Sequence, residues 1–239
     1  MRFQCALIVV FGLILAACSD STPPPVDPAV AAKAANEVRA AKEGALYEQM
    51  RQSGSWDVAT SLGDEILAKY PDTQTAARVQ QTIAQTRTKS AANADAHRLA
   101  GLWSYTVTAE DGGTQYAAVI ASRKPLKLAN ARLRLVLRQH PQWGRSVYLL
   151  LDNARFDCKG GCATLPVSFD GAKPLRMKAT IPPTGEPALF VDDDTGFIAK
   201  LEKAKTVAVG VNVKGAGAFD AEFEVGGFDP ARLPVKTKH

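Results

Sequence analysis

The chain has 239 residues, of which 46% are hydrophobic, and its formal net charge is +5. This length is enough for one large or two small domains with hydrophobic cores of their own. Four cysteines and three histidines leave few side chains for a zinc site, which needs several Cys, His or acidic ligands. We therefore predict neither a bound metal nor a cofactor.

The first 18 residues have the organisation of an export signal. A short basic start precedes an apolar run from Ala6 to Leu15, which is short for a membrane span. The sequence Leu15-Ala16-Ala17-Cys18 resembles the lipobox of bacterial lipoproteins. That resemblance implies cleavage of residues 1–17, lipidation of Cys18 and, from Ser19, sorting to the outer membrane. A single-span membrane anchor is the alternative interpretation.

Residues 18–27 contain three consecutive prolines and are predicted to be a semi-extended tether. From Pro28 to about Met50 the chain is rich in alanine and charged residues, with small apolar residues at helical spacing. Asp27 before a proline is a suitable N-cap. We expect an amphipathic helix here, and a helical region over residues 28–100.

A helical hairpin is predicted within that region. The apolar residues between Trp56 and Lys69 form one helical stripe, Pro71 ends the helix, and Thr73 can cap a second one. These features and the Tyr70-Pro71-Asp72 turn resemble a tetratricopeptide-type hairpin. Arrays of such units usually need three or more repeats. A peptide-binding groove and a short bundle packed on its neighbour domain both remain open.

From Trp103 onward the hydrophobic pattern changes from helical to alternating. Short runs rich in β-branched and aromatic residues are separated by Gly, Pro, Asp and Asn, which is typical of a sandwich or small barrel. Only the stretch from Thr195 to Lys205 has helical spacing. The predicted fold class is α+β: an N-terminal helical hairpin or bundle, then an antiparallel β-sandwich over residues 101–235 with one short inserted helix.

Two cysteines would remain in the exported chain besides Cys18. Cys158 and Cys162 flank a Gly-Gly turn, a spacing that suits a disulfide across a tight hairpin in an oxidising compartment. A redox-active or metal-binding pair is the alternative.

Four motifs carry a resemblance of the C-terminal region to periplasmic β-sandwich proteins. They are the Trp103 strand, the disulfide hairpin that leads into Val167-Ser168-Phe169-Asp170, the helix Phe197–Leu201, and the closing strand Phe223–Phe228. This segment resembles the invasion-associated locus B family and the accessory lipoproteins of type VI secretion clusters. The resemblance implies a periplasmic binding role and supplies no active-site residues.

No catalytic motif is found. The sequence lacks a nucleophile elbow, a free cysteine beside a histidine and a phosphate-binding loop, so we predict no catalytic residues and no enzymatic activity. The run Asp192-Asp193-Asp194 lacks the spaced donors of a calcium loop, and we expect it to cap the helix that follows.

A basic segment is the best binding candidate. No acidic residue occurs between Asp111 and Asp152, and in the run from Ala131 to Arg138 leucines alternate with arginines. A strand with this pattern buries its leucines and exposes a stripe of guanidinium groups, which bind carboxylates and phosphates. The alternative is a solvated sheet face, or a sheet edge whose charge protects it against aggregation, with no binding role. The candidate binding residues are Arg123, Lys127, Arg132, Arg134, Arg138 and Arg145.

Together these patterns predict a non-catalytic outer-membrane lipoprotein that faces the periplasm. Its expected partner is a periplasmic protein, and the resemblance to the two periplasmic families implies a component of a secretion apparatus or a secreted effector that it neutralises. The alternative is binding of an anionic envelope polymer, peptidoglycan or lipopolysaccharide, through the arginine face. Nucleic acid is not an expected partner in this compartment.

Overall fold

The computed structural model describes residues 27–126, 128, 131–159, 161–183 and 185–234. The predicted leader at residues 1–17, the lipidation site Cys18 and most of the tether therefore lie outside the described residues. Among the residues described, no helix has both the length and the apolar composition needed to cross a membrane.

Three helices form the described part of the N-terminal region: α1 (Pro28–Gln52), α2 (Trp56–Lys69) and α3 (Gln74–Ala100). The Asp27 carboxylate accepts a hydrogen bond from the backbone N–H of Ala29 and so caps α1. Thr73 caps α3 in the same way through the N–H of Ala76. Both caps are the residues that the sequence predicts.

A small core holds these helices together. Tyr47 of α1, Ile66 of α2 and Ile83 of α3 are buried in it. The Tyr47 hydroxyl lies 2.8 Å from Thr82 Oγ1 and 3.0 Å from Thr86 Oγ1, so its polar atom is paired inside the core. The hairpin of α2 and α3 is thus part of a three-helix bundle.

In the described part of the chain, nine strands follow and pair in the order β1-β2-β3-β4-β7-β6-β5-β8-β9, with every pairing antiparallel. Their bounds are β1 (Trp103–Glu110), β2 (Gly113–Ala121), β3 (Leu133–His140), β4 (Gly144–Leu151), β5 (Thr164–Phe169), β6 (Leu175–Thr180), β7 (Ala188–Val191), β8 (Thr206–Val213) and β9 (Gly217–Glu224).

Strand β6 joins two layers of this sheet. Its first residues pair with β5, whereas Ala179 and Thr180 at its end pair with β7. Strands β1 to β4 and β7 form one layer, and strands β5, β8 and β9 form the other. One continuous core collects buried side chains from both layers, among them Leu135 of β3 and Phe223 of β9. The sheet therefore closes over its own hydrophobic face, as a sandwich does.

One short helix, α4 (Asp194–Leu201), interrupts the strands and buries Phe197 and Leu201 in the same core. The predicted α+β class is confirmed, with helices first and then an antiparallel sheet that contains one inserted helix. The helix ends at Leu201, before the end of the predicted stretch from Thr195 to Lys205, because the N–H groups of Lys203 and Ala204 donate to the carbonyls of Lys200 and Leu201 and so form a tighter turn that leads to β8. Strand β7 was not predicted from the sequence.

The C-terminal end of α3 packs directly on the sheet. Arg98 donates to both carboxylate oxygens of Glu224 in β9, at 3.0 and 3.3 Å. Gly227, just after β9, lies so close to the backbone of Leu99 and Ala100 that a Cβ atom at this position would overlap it. This close approach joins the helical region to the β region.

Asp170 organises the turn after β5. Its φ angle is 50°, and its Oδ1 accepts hydrogen bonds of 2.8 Å from the backbone N–H groups of Lys205 and Thr206. The hydrogen bonds from the backbone of Thr206 and then of Lys205 lower the pKa of the Asp170 carboxyl.

This lowered pKa predicts a contribution to stability at neutral pH that acid removes. The contribution is present above the pKa of an unfolded aspartate, about 3.9, and is lost as the pH falls through the lower folded-state pKa. Asp170→Asn tolerates the same backbone conformation but has no charge to lose. We expect urea unfolding to show a stability difference between parent and variant that shrinks as the pH falls below the pKa of an unfolded aspartate, about 3.9. A constant difference would contradict the assignment.

Candidate functional site

Strand β3 separates its leucines from its arginines. Leu133, Leu135 and Leu137 are fully buried in the main core. Arg134 and Arg138 alternate with them and point to the outer face of the sheet. The outer face is not wholly solvated, however, since Val136 between the two arginines is only 4% exposed.

Arg138 occupies a defined position on that face. Its Nε donates to Ser146 Oγ, the residue directly opposite on β4, at 3.2 Å. The guanidinium carbon lies 5.3 Å from the centre of the Tyr148 ring and 5.5 Å from the centre of the Trp143 ring. Within the described part of the chain, no carboxylate lies at ion-pair distance from it. The side chain is therefore held by two aromatic rings without having its charge neutralised.

Trp143 lies in the turn between β3 and β4 and is 70% exposed. Its ring stacks on that of the buried His140, with 3.9 Å between the centres and 12° between the planes. His140 Nδ1 in turn accepts hydrogen bonds from the backbone N–H groups of Gln142 and Trp143, at 3.1 and 3.3 Å. The turn therefore holds a large apolar ring in a fixed orientation although it faces solvent.

A second pair of rings extends the same face. Tyr148 of β4 lies opposite Phe190 of β7, and their rings stack with 4.8 Å between centres. Burial among these neighbours raises the pKa of the Tyr148 hydroxyl. We call this set the aromatic–arginine surface; its members are Arg138, Trp143, Tyr148 and Phe190.

The other predicted basic residues do not all belong to this surface. Arg134 pairs with Asp152 at 2.7 Å, and Arg123 pairs with Glu222 of β9 at 3.1 Å. Arg145 lies on the opposite side of the strand, where its guanidinium donates to Thr195 Oγ1 at 2.8 Å. Arg132 is exposed just before β3. Lys127 lies outside the described residues.

The two cysteines of the predicted hairpin form the expected disulfide. Cys158 and Cys162 are joined, with 5.1 Å between their Cα atoms. Both are partly buried against the main core, where the bond fixes the loop that leads into β5. The pair therefore has a structural position in the loop before β5.

The acidic run before α4 has the predicted capping role. The Asp193 carboxylate accepts from the backbone N–H of Gly196 at 2.8 Å, which caps the helix, and Asp194 lies in its first turn. Asp192 accepts from the Thr180 hydroxyl at 2.8 Å. Among the described residues, no group of three or more His, Cys, Asp or Glu side chains is arranged to hold a metal ion.

The aromatic half of the surface is not predicted by any local sequence pattern. Trp143 is in a short turn. Tyr148 and Phe190 are opposite each other in the sheet although they are 42 residues apart in the chain. Only the pairing of β4 with β7 brings Tyr148 and Phe190 together. One local signal does point to Trp143: it is a tryptophan in the turn sequence Pro-Gln-Trp-Gly, where a large apolar side chain is expected to be exposed.

Comparisons with known proteins identify no family. No protein-family profile and no curated protein sequence matches the chain. Among solved structures, invasion associated protein B from Bartonella henselae matches with a TM-score of 0.38 and 16% sequence identity, over 54% of this chain and 87% of that protein. The finding is a distant structural resemblance.

Proposed function

We propose that this protein is a non-catalytic binding protein whose aromatic–arginine surface docks a protein partner. The observation that carries the proposal is the position of Arg138, held between Trp143 and Tyr148 without a carboxylate partner among the described residues. Tryptophan, tyrosine and arginine are the residue types that contribute most to protein interfaces.

The chemistry of the surface favours a partner with an acidic group beside apolar side chains. A guanidinium already held between two rings loses little conformational freedom when it binds a carboxylate bidentately. Tyr148, Phe190 and Trp143 supply apolar area around it, and water excluded from this area strengthens the ion pair.

The compartment and the partner class remain part of the proposal. The lipobox-like Leu15-Ala16-Ala17-Cys18 and Ser19 support a lipid-anchored protein on the periplasmic side of the outer membrane. The disulfide between Cys158 and Cys162 is compatible with an oxidising compartment. We propose as partner a component of a secretion apparatus, or a secreted effector that this lipoprotein neutralises.

Binding of an envelope polymer is the second candidate. The exposed Trp143 ring offers a flat apolar face beside a cation, an arrangement that also suits a sugar carrying a carboxylate or phosphate. Co-sedimentation with purified sacculi distinguishes a protein partner from an envelope polymer. If the surface binds a protein, Arg138→Gln should not change the amount of this protein that sediments with the sacculi.

Site-specific photo-crosslinking in cells tests the proposed function. A photoreactive phenylalanine analogue at position 143 should crosslink to a discrete protein. The matched control is position 107, because Val107 is 67% exposed and Trp143 is 70% exposed, yet Val107 lies on β1 outside the surface. Crosslinks only at position 107, or only to glycan at position 143, would contradict the proposal.

Arg138→Gln should reduce this crosslink about tenfold or more, since truncating a buried or half-buried charged partner typically costs about 2 kcal/mol. Arg123→Gln is the control, because Arg123 is also a predicted binding residue but pairs with Glu222 elsewhere. Equal crosslink yields in both variants, at unchanged melting temperature, would show that Arg138 does not contact the partner.

A further inference from the structure

A second surface feature lies apart from the aromatic–arginine surface. A cavity of about 330 Å³ opens between the end of β5, the start of β6 and the C-terminal end of α4. This volume is at the lower end of the range for small-molecule sites. Its apolar wall consists of Phe169, Ala172, Leu175 and Ala204.

The fold keeps this wall in place. The Phe169 ring meets the ring of buried Phe197 from α4 edge to face, with 5.5 Å between the centres. Ala204 is itself buried, directly after α4. Leu175 is 45% exposed at the start of β6, so a large apolar side chain faces the cavity with part of its surface in solvent.

Three lysines surround the apolar wall: Lys173, Lys200 and Lys203. In the described part of the chain, none of them lies at ion-pair distance from a carboxylate. The one acidic residue that lines the cavity, Asp170, is engaged by the backbone N–H groups of Lys205 and Thr206. Asp170 stays ionised, so the rim carries three positive charges against one negative charge, and this excess favours an anionic ligand.

Four backbone N–H groups around the cavity are already hydrogen-bonded. The N–H groups of Asp170, Ala172, Lys203 and Ala204 all donate to carbonyl groups of the chain itself. An extended peptide would leave its own polar backbone unpaired here. An aliphatic chain has no such groups, and its carboxylate needs only the ammonium groups at the rim.

From the apolar wall, the excess of positive charge and the bonded backbone donors, we propose that this cavity binds a medium-chain fatty acid, with its chain against Phe169 and Leu175 and its carboxylate among the three lysines. The proposed function does not require this site, and the two share no residues.

Photo-labelling of the full chain tests the proposal. The probe is decanoic acid with a diazirine in mid-chain, and mass spectrometry of the digested protein locates the label. We expect label on the segments that contain Phe169, Leu175 and Ala204. Unlabelled decanoate should compete, whereas decanol, with the same chain and no charge, should compete at least tenfold less well, because the charge is what the lysines recognise. Label confined to other segments, or equal competition by decanol, would overturn the proposal.

A charge-matched pair of variants separates this site from general attraction to a basic protein. Replacing Lys173, Lys200 and Lys203 together with Gln should reduce labelling of these segments at least tenfold. Replacing Lys33, Lys42 and Lys89 with Gln removes the same charge from exposed positions on α1 and α3 and should leave labelling unchanged. Equal labelling of the two triple variants would overturn the proposal, whatever the outcome for the crosslinks at position 143.

Discussion

Replacing Gly227 with alanine is expected to lower the free energy of unfolding by about 3 kcal/mol or more. The added Cβ would overlap the carbonyl group of Leu99 and the nitrogen of Ala100. These are backbone atoms inside the last turn of α3, so they cannot turn aside as a flexible side chain can. Chemical denaturation of parent and variant measures the loss.

Gly226→Ala is the matched control for this prediction. The nearest atoms to a Cβ at position 226 are Leu99 Cδ1 and Lys205 Cα, both 3.6 Å away, which is ordinary van der Waals contact. We expect a change within about 1 kcal/mol, because the substitution adds no overlap and reduces the freedom of the unfolded chain. Equal losses in the two variants would show that the close approach of Gly227 to α3 is not a constraint on the fold.

The Gly227 contact also bears on how the two regions cooperate. Residues 91–98 of α3 are exposed, so this part of the helix has little packing of its own. The C-terminal end of α3 is fixed to the sheet by its close contact with the backbone of Gly227 and by the ion pair of Arg98 with Glu224.

The sequence was sufficient where local rules decide the structure. Asp27 and Thr73 cap their helices because a short polar side chain before a helix satisfies a free backbone N–H, and this requires no tertiary information. The alternation in β3 likewise follows from the twofold period of a strand, and it placed Arg134 and Arg138 on the face opposite Leu135.

The sequence was insufficient where distant strands decide the structure. Strand β7 has four residues, too few for a periodic pattern, and is held by its pairing with β4 and β6. The stack of Tyr148 on Phe190 exists only through that pairing. Within the predicted stripe of Arg132, Arg134 and Arg138, Arg134 is paired with Asp152. Arg145, a further predicted binding residue, lies on the other side of the sheet. The composition of the surface therefore depends on contacts that no single segment encodes.

The second large effect expected is for Leu135→Ala, compared with the same substitution at Leu175. Leu135 is fully buried on β3 between the strands that carry Ile120 and Leu149, and its truncation leaves a cavity in a close-packed core. Such changes typically cost about 2–5 kcal/mol.

Leu175 is 45% exposed on β6, so its truncation should cost less than about 1 kcal/mol. Both leucines lie in strands of the same sheet, and denaturation curves of the two variants, measured together, give the comparison. A loss at Leu175 as large as that at Leu135 would mean that Leu175 supports the core. A small loss would show that this side chain, which lies partly exposed at the start of β6, is not required for folding.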